Sequence, residues 1–286
     1  MKIKEILEKD QISFSCEIFP PKKEGDFSEV FRVVDRISKI GVDFISVTYG
    51  AGGSTSKKTT EVAAYTQDTC GTTSLAHLTC IDSNPEQIKC QLADLRANGI
   101  ENIMALRGDK PKGFTEGGYY THAIHLIQEI REIGGFCVGG ACYPEGHVEC
   151  PHKQDDIAYL KEKVDAGVDF LTTQMFFDNN LFYNFLYRAY AAGISVPIIP
   201  GIMPIINARQ VKRSTELSGA TMPARFLAIA DKFSDDPQAM EQAGIAYATD
   251  QIIDLVANGI RHIHLYTMNR PQTAEKIMGN LSHILR

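Results

Sequence analysis

Two hydrophobic rhythms alternate along this chain. Stretches with apolar positions three and four apart predict amphipathic helices at residues 27–40, 57–69, 85–98, 120–133, 155–166 and 181–192. Between them lie apolar runs at residues 12–19, 43–48, 75–80, 102–106, 136–142, 170–175, 197–202 and 262–266. Most of these runs are continuous, as expected of strands buried on both faces. A glycine marks each hand-over from helix to strand, at Gly41, Gly71, Gly99, Gly134, Gly167, Gly193 and Gly259. Several are followed by near copies, such as Gly41-Val42-Asp43-Phe44 and Gly167-Val168-Asp169-Phe170. Glycine suits the left-handed conformation just past a helix C-terminus. Eight strands, mostly separated by one helix, predict an α/β fold, a parallel (β/α)8 TIM barrel. The long gap between strands seven and eight holds extra helical patterns at 208–217, 223–231 and 236–258. No linker composition interrupts the chain, so residues 1–286 read as a single domain.

The bulk numbers narrow the function classes. A length of 286 residues suits one barrel, which typically needs ~250. The net charge of −6 and the lack of a basic run argue against a nucleic-acid partner. Apolar stretches such as 196–203 are too short to span a bilayer, and the charged segment 1–11 lacks the apolar core of a secretory signal. Seven cysteines without a CxxC pair predict reduced thiols and a cytoplasmic location.

A barrel of this type carries its chemistry at the C-terminal ends of its strands, and polar residues gather there. Strand one carries Glu17 within an apolar run. A carboxyl stripped of water favours its protonated form, which suits a general acid; the alternative is a buried ion pair, for example with Arg107. Strand two ends in Thr48-Tyr49-Gly50-Ala51, and strand three carries His77 and Thr79. Arg107-Gly108-Asp109 ends strand four and offers a cation, a close-approach glycine and an acceptor, or else a turn into Lys110-Pro111. Tyr143-Pro144-Glu145 follows strand five with His147 beyond; Gln174 follows strand six; Tyr266 to Arg270 follow strand eight. The glycine-rich loop 50–54 could cradle a phosphate, but no GxGxxG accompanies it. His147, Cys150 and His152 match no zinc spacing, so no metal is expected. Phe176, Phe177, Phe182 and Phe185 read as core.

Taken in order, Glu17-Ile18-Phe19-Pro20-Pro21, Val47-Thr48-Tyr49-Gly50-Ala51, His77-Leu78-Thr79-Cys80, Leu106-Arg107-Gly108-Asp109, Tyr143-Pro144-Glu145, Gln174-Met175-Phe176-Phe177-Asp178, Pro200-Gly201-Ile202 and Tyr266-Thr267-Met268-Asn269-Arg270 resemble the short bacterial methylenetetrahydrofolate reductases over nearly the whole chain. The resemblance implies an FAD-dependent reductase that converts 5,10-methylenetetrahydrofolate to 5-methyltetrahydrofolate, a step toward methionine. The flavin would be reduced by NADH, or by NADPH, in a ping-pong cycle at one shared site. By the same resemblance Glu17 is the proton donor that helps open the folate ring to an iminium, and Asp109 is the aspartate beside flavin and pterin. Gln174, Gln210 and Arg270 fall on folate contacts. Thr48, Tyr49, Ala51, His77, Arg107, Gly108, Asp109, Tyr143, His147, Asp156 and Lys163 fall on cofactor contacts, Thr48 where nicotinamide sits. The chain departs from the family pattern at Cys16, Thr121, Glu162 and Ser214, the last where a ligand-packing phenylalanine is expected. Some relatives draw electrons through a partner subunit, and self-association is open. Two other readings compete: a proline-dehydrogenase-like flavoenzyme, and a barrel kept as a non-enzymatic subunit.

Overall fold

Strand β1 (Ser13–Ile18) lies between two parallel neighbours, β2 (Phe44–Val47) and β9 (His262–Tyr266), the last strand in the chain. That pairing closes a sheet whose order otherwise follows the sequence through β3 (Thr73–Thr79), β4 (Asn102–Leu106), β5 (Cys137–Cys142) and β6 (Phe170–Thr173). The computed structural model describes residues 1–21, 27–49, 55–110, 118–150 and 152–285. The expected seventh strand is broken at Pro200, which has no N–H to give a ladder. Its first half, β7 (Ile198–Ile199), pairs with β6, and its second half, β8 (Gly201–Ile202), pairs with β9. Among the described residues, nine strand segments therefore build an eight-staved barrel.

The helices fall where the apolar rhythm puts them: α2 (Ser28–Lys39), α3 (Thr55–Asp68), α4 (Pro85–Ala97), α5 (Ala123–Ile133), α6 (Lys153–Asp165) and α7 (Asn179–Ala191). The start of α4 shows why. Asn84 Oδ1 accepts from the Gln87 N–H, Gln87 Oε1 accepts from the Asn84 N–H, each at 2.9 Å, and Pro85 opens the helix. All seven hand-over glycines have positive φ, from 66° to 117°. The insertion before β9 contains α8 (Ala208–Ser218), α9 (Ala224–Lys232) and α10 (Pro237–Ala257). Two further helices, α1 (Ile3–Leu7) and α11 (Pro271–Asn280), were not among the expected elements. The first is too short to show a helical period.

Alternate strand residues face opposite ways. Cys16, Ile18, Ile45, Val47, Leu78, Ile103 and Leu265 pack outward against the helices in the main core. Phe44, Leu75, Met104, Cys137, Phe170 and Ile199 form a second apolar cluster with Ile3, Ile6 and Leu7 of α1. Those strand residues lie toward the strand N-termini, so α1 plugs that end of the barrel. Asn102 ties the plug in place: its Oδ1 accepts from the Ile3 N–H at 2.8 Å. A third cluster, including Phe177, Met203, Ile205, Phe226 and Met240, seats the inserted helices. Phe176, Phe177, Phe182 and Phe185 are all buried, as the sequence predicts.

Candidate active site at the barrel mouth

Positions 13, 15 and 17 of β1 share one strand face with Glu17 nearest the C-terminal end, and positions 262, 264 and 266 of β9 pair beside them. The barrel interior thus carries a polar file above its apolar plug. Ser13 Oγ lies 2.9 Å from His262 Nδ1, and Ser15 Oγ lies 2.8 Å from His264 Nδ1. Ser15 Oγ also donates to the Ile263 carbonyl at 3.1 Å. With its one proton used there, Ser15 accepts from His264, so Nδ1 of that ring carries the hydrogen. In the neutral ring Nε2 then turns its lone pair inward.

Glu17 is the group it faces. Glu17 Oε2 is 3.9 Å from His264 Nε2 and 3.7 Å from His77 Nε2, and its side chain is only 12% exposed. Burial pushes the His77 imidazole down to about 4, against the pull of Glu17 and with a push from His264, so this ring is neutral near pH 7. The buried pairing with Arg107 weighed for Glu17 does not form. Arg107 instead meets Glu149 in a bidentate pair at 2.6 and 2.9 Å, and Lys110 joins the same carboxylate at 2.9 Å. Hydrogen bonds from both cations pull Glu149 down to about 2.

Beside this file a cavity of about 480 Å³ opens between the ends of β4 and β5 and helices α5 and α6. Arg107, Tyr143, His147, Asp156 and Lys163 all line it, with Ala105, Leu106, Ala141 and Leu160 as apolar wall. Lys163 Nζ donates to the Ala141 carbonyl, and burial lowers its pKa although Cys142 and Asp156 oppose this. Burial raises the Asp156 carboxyl, which accepts from the His147 backbone N–H. Tyr143 and His147 meet edge to face at 4.6 Å. Burial, then Arg107, lower the His147 imidazole. Gly108 adopts φ +92°, and a Cβ there would lie 3.0 Å from Thr79 Cβ. Asp109 is exposed at the rim, where its charge acts on Arg107 and Tyr143.

The remaining expected residues that the structure describes make the following contacts. Thr48 follows β2; its carbonyl accepts from Thr59 Oγ1 at 3.0 Å, and its own buried Oγ1 has no partner among the described residues. Tyr49 accepts from Gln91 Nε2 at 3.3 Å. Gln174 turns Oε1 back onto the Met175 N–H at 2.9 Å, and Gln210 Oε1 accepts from the Ile206 N–H at 3.0 Å. Arg270 is exposed at the start of α11. Ala51, with most of the glycine-rich loop, lies outside the described residues. Ser214 is buried within α8. Cys150 Sγ donates to the His152 carbonyl at 3.2 Å, and all seven cysteines are unpaired. No described helix is long and apolar enough to cross a membrane.

Three residues here had no site role in the sequence reading: Ser15, His264 and Glu149. The first two had a signal in the period-two spacing of 13, 15, 17 and of 262, 264, 266, which marks an inward face. Glu149 sits in an irregular loop and had none.

Fold and site together define a parallel α/β barrel with a cavity and a carboxyl–imidazole cluster at the strand C-termini. The chain belongs to the methylenetetrahydrofolate reductase family, whose model matches residues 2–282. It is 38% identical over 99% of its length to methylenetetrahydrofolate reductase (NADH) 1 of Arabidopsis thaliana, of which it spans 50%. It is 35% identical over 95% of its length to 5,10-methylenetetrahydrofolate reductase of Escherichia coli strain K12, spanning 91% of that protein. The chain thus covers about half of its plant relatives and nearly all of the bacterial one. Among solved structures, an uncharacterized Clostridium thermocellum protein that binds two copies of 5-methyl-5,6,7,8-tetrahydrofolic acid superposes with a TM-score of 0.67. It is 14% identical and both chains are 99% covered, a likeness of fold.

Proposed function

We propose that this protein reduces 5,10-methylenetetrahydrofolate to 5-methyltetrahydrofolate, with FAD as bound cofactor and NADH as electron donor. The observation that carries the reading is Glu17, a carboxyl held inside the barrel mouth against two imidazole Nε2 atoms. A nearby cavity of about 480 Å³ suits a large cofactor. The names of family relatives support the folate substrate, and those of the plant relatives support NADH.

The residues present fit a flavin dinucleotide. Arg107, His147 and Lys163 offer cationic or donor groups for phosphates, and the apolar wall between Leu106 and Leu160 suits a flat ring. Thr48 Oγ1 and His77 Nε2, with no hydrogen-bond partner among the described residues, are buried polar atoms that a ligand could satisfy. Tyr49, Ala51, Tyr143, Asp109 and Asp156 complete the cofactor set. When bound, FAD supplies the hydride carrier between nicotinamide and folate.

The chain's own groups handle the proton and the placement of substrate. Glu17 delivers a proton to a folate nitrogen as the five-membered ring opens. His264, oriented by Ser15, and His77 set two imidazoles beside the Glu17 carboxyl. Asp109 places negative charge at the rim, which favours a cationic iminium. Gln174 and Gln210, each with its Oε1 engaged, offer their N–H2 groups to the pterin. Arg270 offers a planar fork to the carboxylates of the glutamate tail.

The test is the anaerobic visible spectrum of FAD-loaded protein before and after 5-methyltetrahydrofolate is added. Bleaching of the oxidised flavin band is the expected result, electrons passing from folate to flavin in reverse. An unbleached band in protein that holds FAD would overturn the reading in favour of imino-acid oxidation or a non-enzymatic role.

A further inference from the structure

We propose that Tyr266 is a positioning residue for folate, fixing the Gln174 end of β6 relative to Glu17 across the broken stave of the barrel. This inference rests on the folate reading above.

The need for such a residue follows from the topology. Since β7 pairs only with β6 and β8 only with β9, no continuous strand ties β6 to β9. Tyr266 bridges that seam from inside. It pairs in register with Glu17, and its hydroxyl donates to the Thr173 carbonyl at 2.5 Å, one residue before Gln174. Thr173 is held a second time, its Oγ1 accepting from the Gly201 N–H at 2.9 Å.

The phenol reaches Thr173 only because position 201 has no side chain. A Cβ on Gly201 would lie 2.5 Å from Tyr266 Cε2 and 2.6 Å from its hydroxyl oxygen. The ring also stands edge-on to His264, centroids 5.2 Å apart and planes at 89°. One line of contacts therefore runs from Glu17 through His264 and Tyr266 to Thr173 and Gln174. Burial, reinforced by the charge of Glu17, raises the phenol's pKa well above its usual value, so Tyr266 stays a donor. Ring opening needs the pterin held by one end of this line while the other end delivers the proton, and small misplacements are costly.

The experiment compares FAD-loaded wild type with Y266F and G201A, measuring flavin content, melting temperature, flavin reduction by NADH and folate turnover. Y266F keeps the ring and loses the tether; one hydrogen bond corresponds to a roughly three- to tenfold rise in KM for the folate. G201A sets a Cβ against both the ring and the Thr173 carbonyl, the latter 2.5 Å away, and is expected to cut folate turnover roughly 100-fold. In both, the loss falls on the folate half-reaction. Wild-type KM and kcat in Y266F would overturn the proposal. So would parallel losses in flavin content, melting temperature and both half-reactions, which mark a packing role. Wild-type protein that holds FAD yet is not bleached by 5-methyltetrahydrofolate would instead refute the folate reading, and this inference with it.

Discussion

Glu17 of β1 and His264 of β9 face each other inside the barrel, Oε2 3.9 Å from Nε2, although 247 positions separate them in the chain (264 − 17). The parallel register of the first and last strands makes the meeting possible: Ser15 pairs with His264 and Glu17 with Tyr266. Residues from the two ends of the sequence thus share one site.

The sharpest consequence concerns Glu17→Gln. An amide keeps the shape and cannot supply the proton, so folate turnover is expected to fall by roughly 10²–10⁴. Flavin reduction by NADH is expected to persist, as it needs no proton from this carboxyl. Stopped-flow measurement of the two half-reactions separates them; equal folate rates in mutant and wild type would refute the role.

Ser15→Ala frees the Nδ1 side of His264 while leaving the barrel wall in place. Among the described residues the ring then keeps only the Ser46 Oγ hydrogen-bond contact at Nε2, 3.4 Å long, and either tautomer is open to it. A loss of roughly tenfold in the folate half-reaction is expected, about the worth of one hydrogen bond, with flavin content unchanged. An unaltered pH–rate profile would show that the serine does not set the tautomer.

His77 makes stability depend on pH. Its folded value of about 4 lies below the ordinary 6.5, mainly through burial. Above pH 6.5 the ring is neutral in both states; as pH falls toward 4 only the unfolded chain takes up the proton, and stability is lost. The gap corresponds to about 3 kcal/mol, at about 1.4 kcal/mol per unit. Denaturant titrations at pH 7 and pH 4 should show His77→Asn losing less stability over that interval than wild type. Identical losses would mean that His77 does not titrate as described.

Gly108→Ala joins a conformational cost to a steric one. The residue would be held at φ +92° with its Cβ 3.0 Å from Thr79 Cβ and 3.1 Å from Ile81 Cγ2. A cost of about 1–3 kcal/mol is expected, read as a melting point lower by several degrees and as weaker FAD retention. A variant with normal retention and melting would place the cofactor elsewhere.

Much of this architecture was legible in the chain because barrel strands and helices announce themselves locally. Buried strands are continuous apolar runs, and the helix ends carry glycine. What stayed hidden depends on neighbours far away in sequence. The break at Pro200 became visible only once β6 and β9 were seen to claim different halves of one run. The plug formed by Ile3, Ile6 and Leu7 is a five-residue helix whose stability comes from the apolar cluster it fills. At the site, Glu17 and the Arg107-Gly108-Asp109 turn stood out by residue type alone. His264 and Ser15 did not, because a serine or histidine in a strand has meaning only when the partner across the ladder is known.

Ladder hydrogen bonds hold a barrel shut, and the seventh stave has the fewest. Two residues on each side of Pro200 pair with one neighbour apiece, whereas β3 and β4 are matched over four consecutive positions. Local opening begins where a cooperative unit is thinnest. Backbone amides around 198–202 should therefore exchange with solvent deuterium sooner than those of β3 and β4. The cask has one weak stave, and it stands beside the glutamine assigned to hold the substrate.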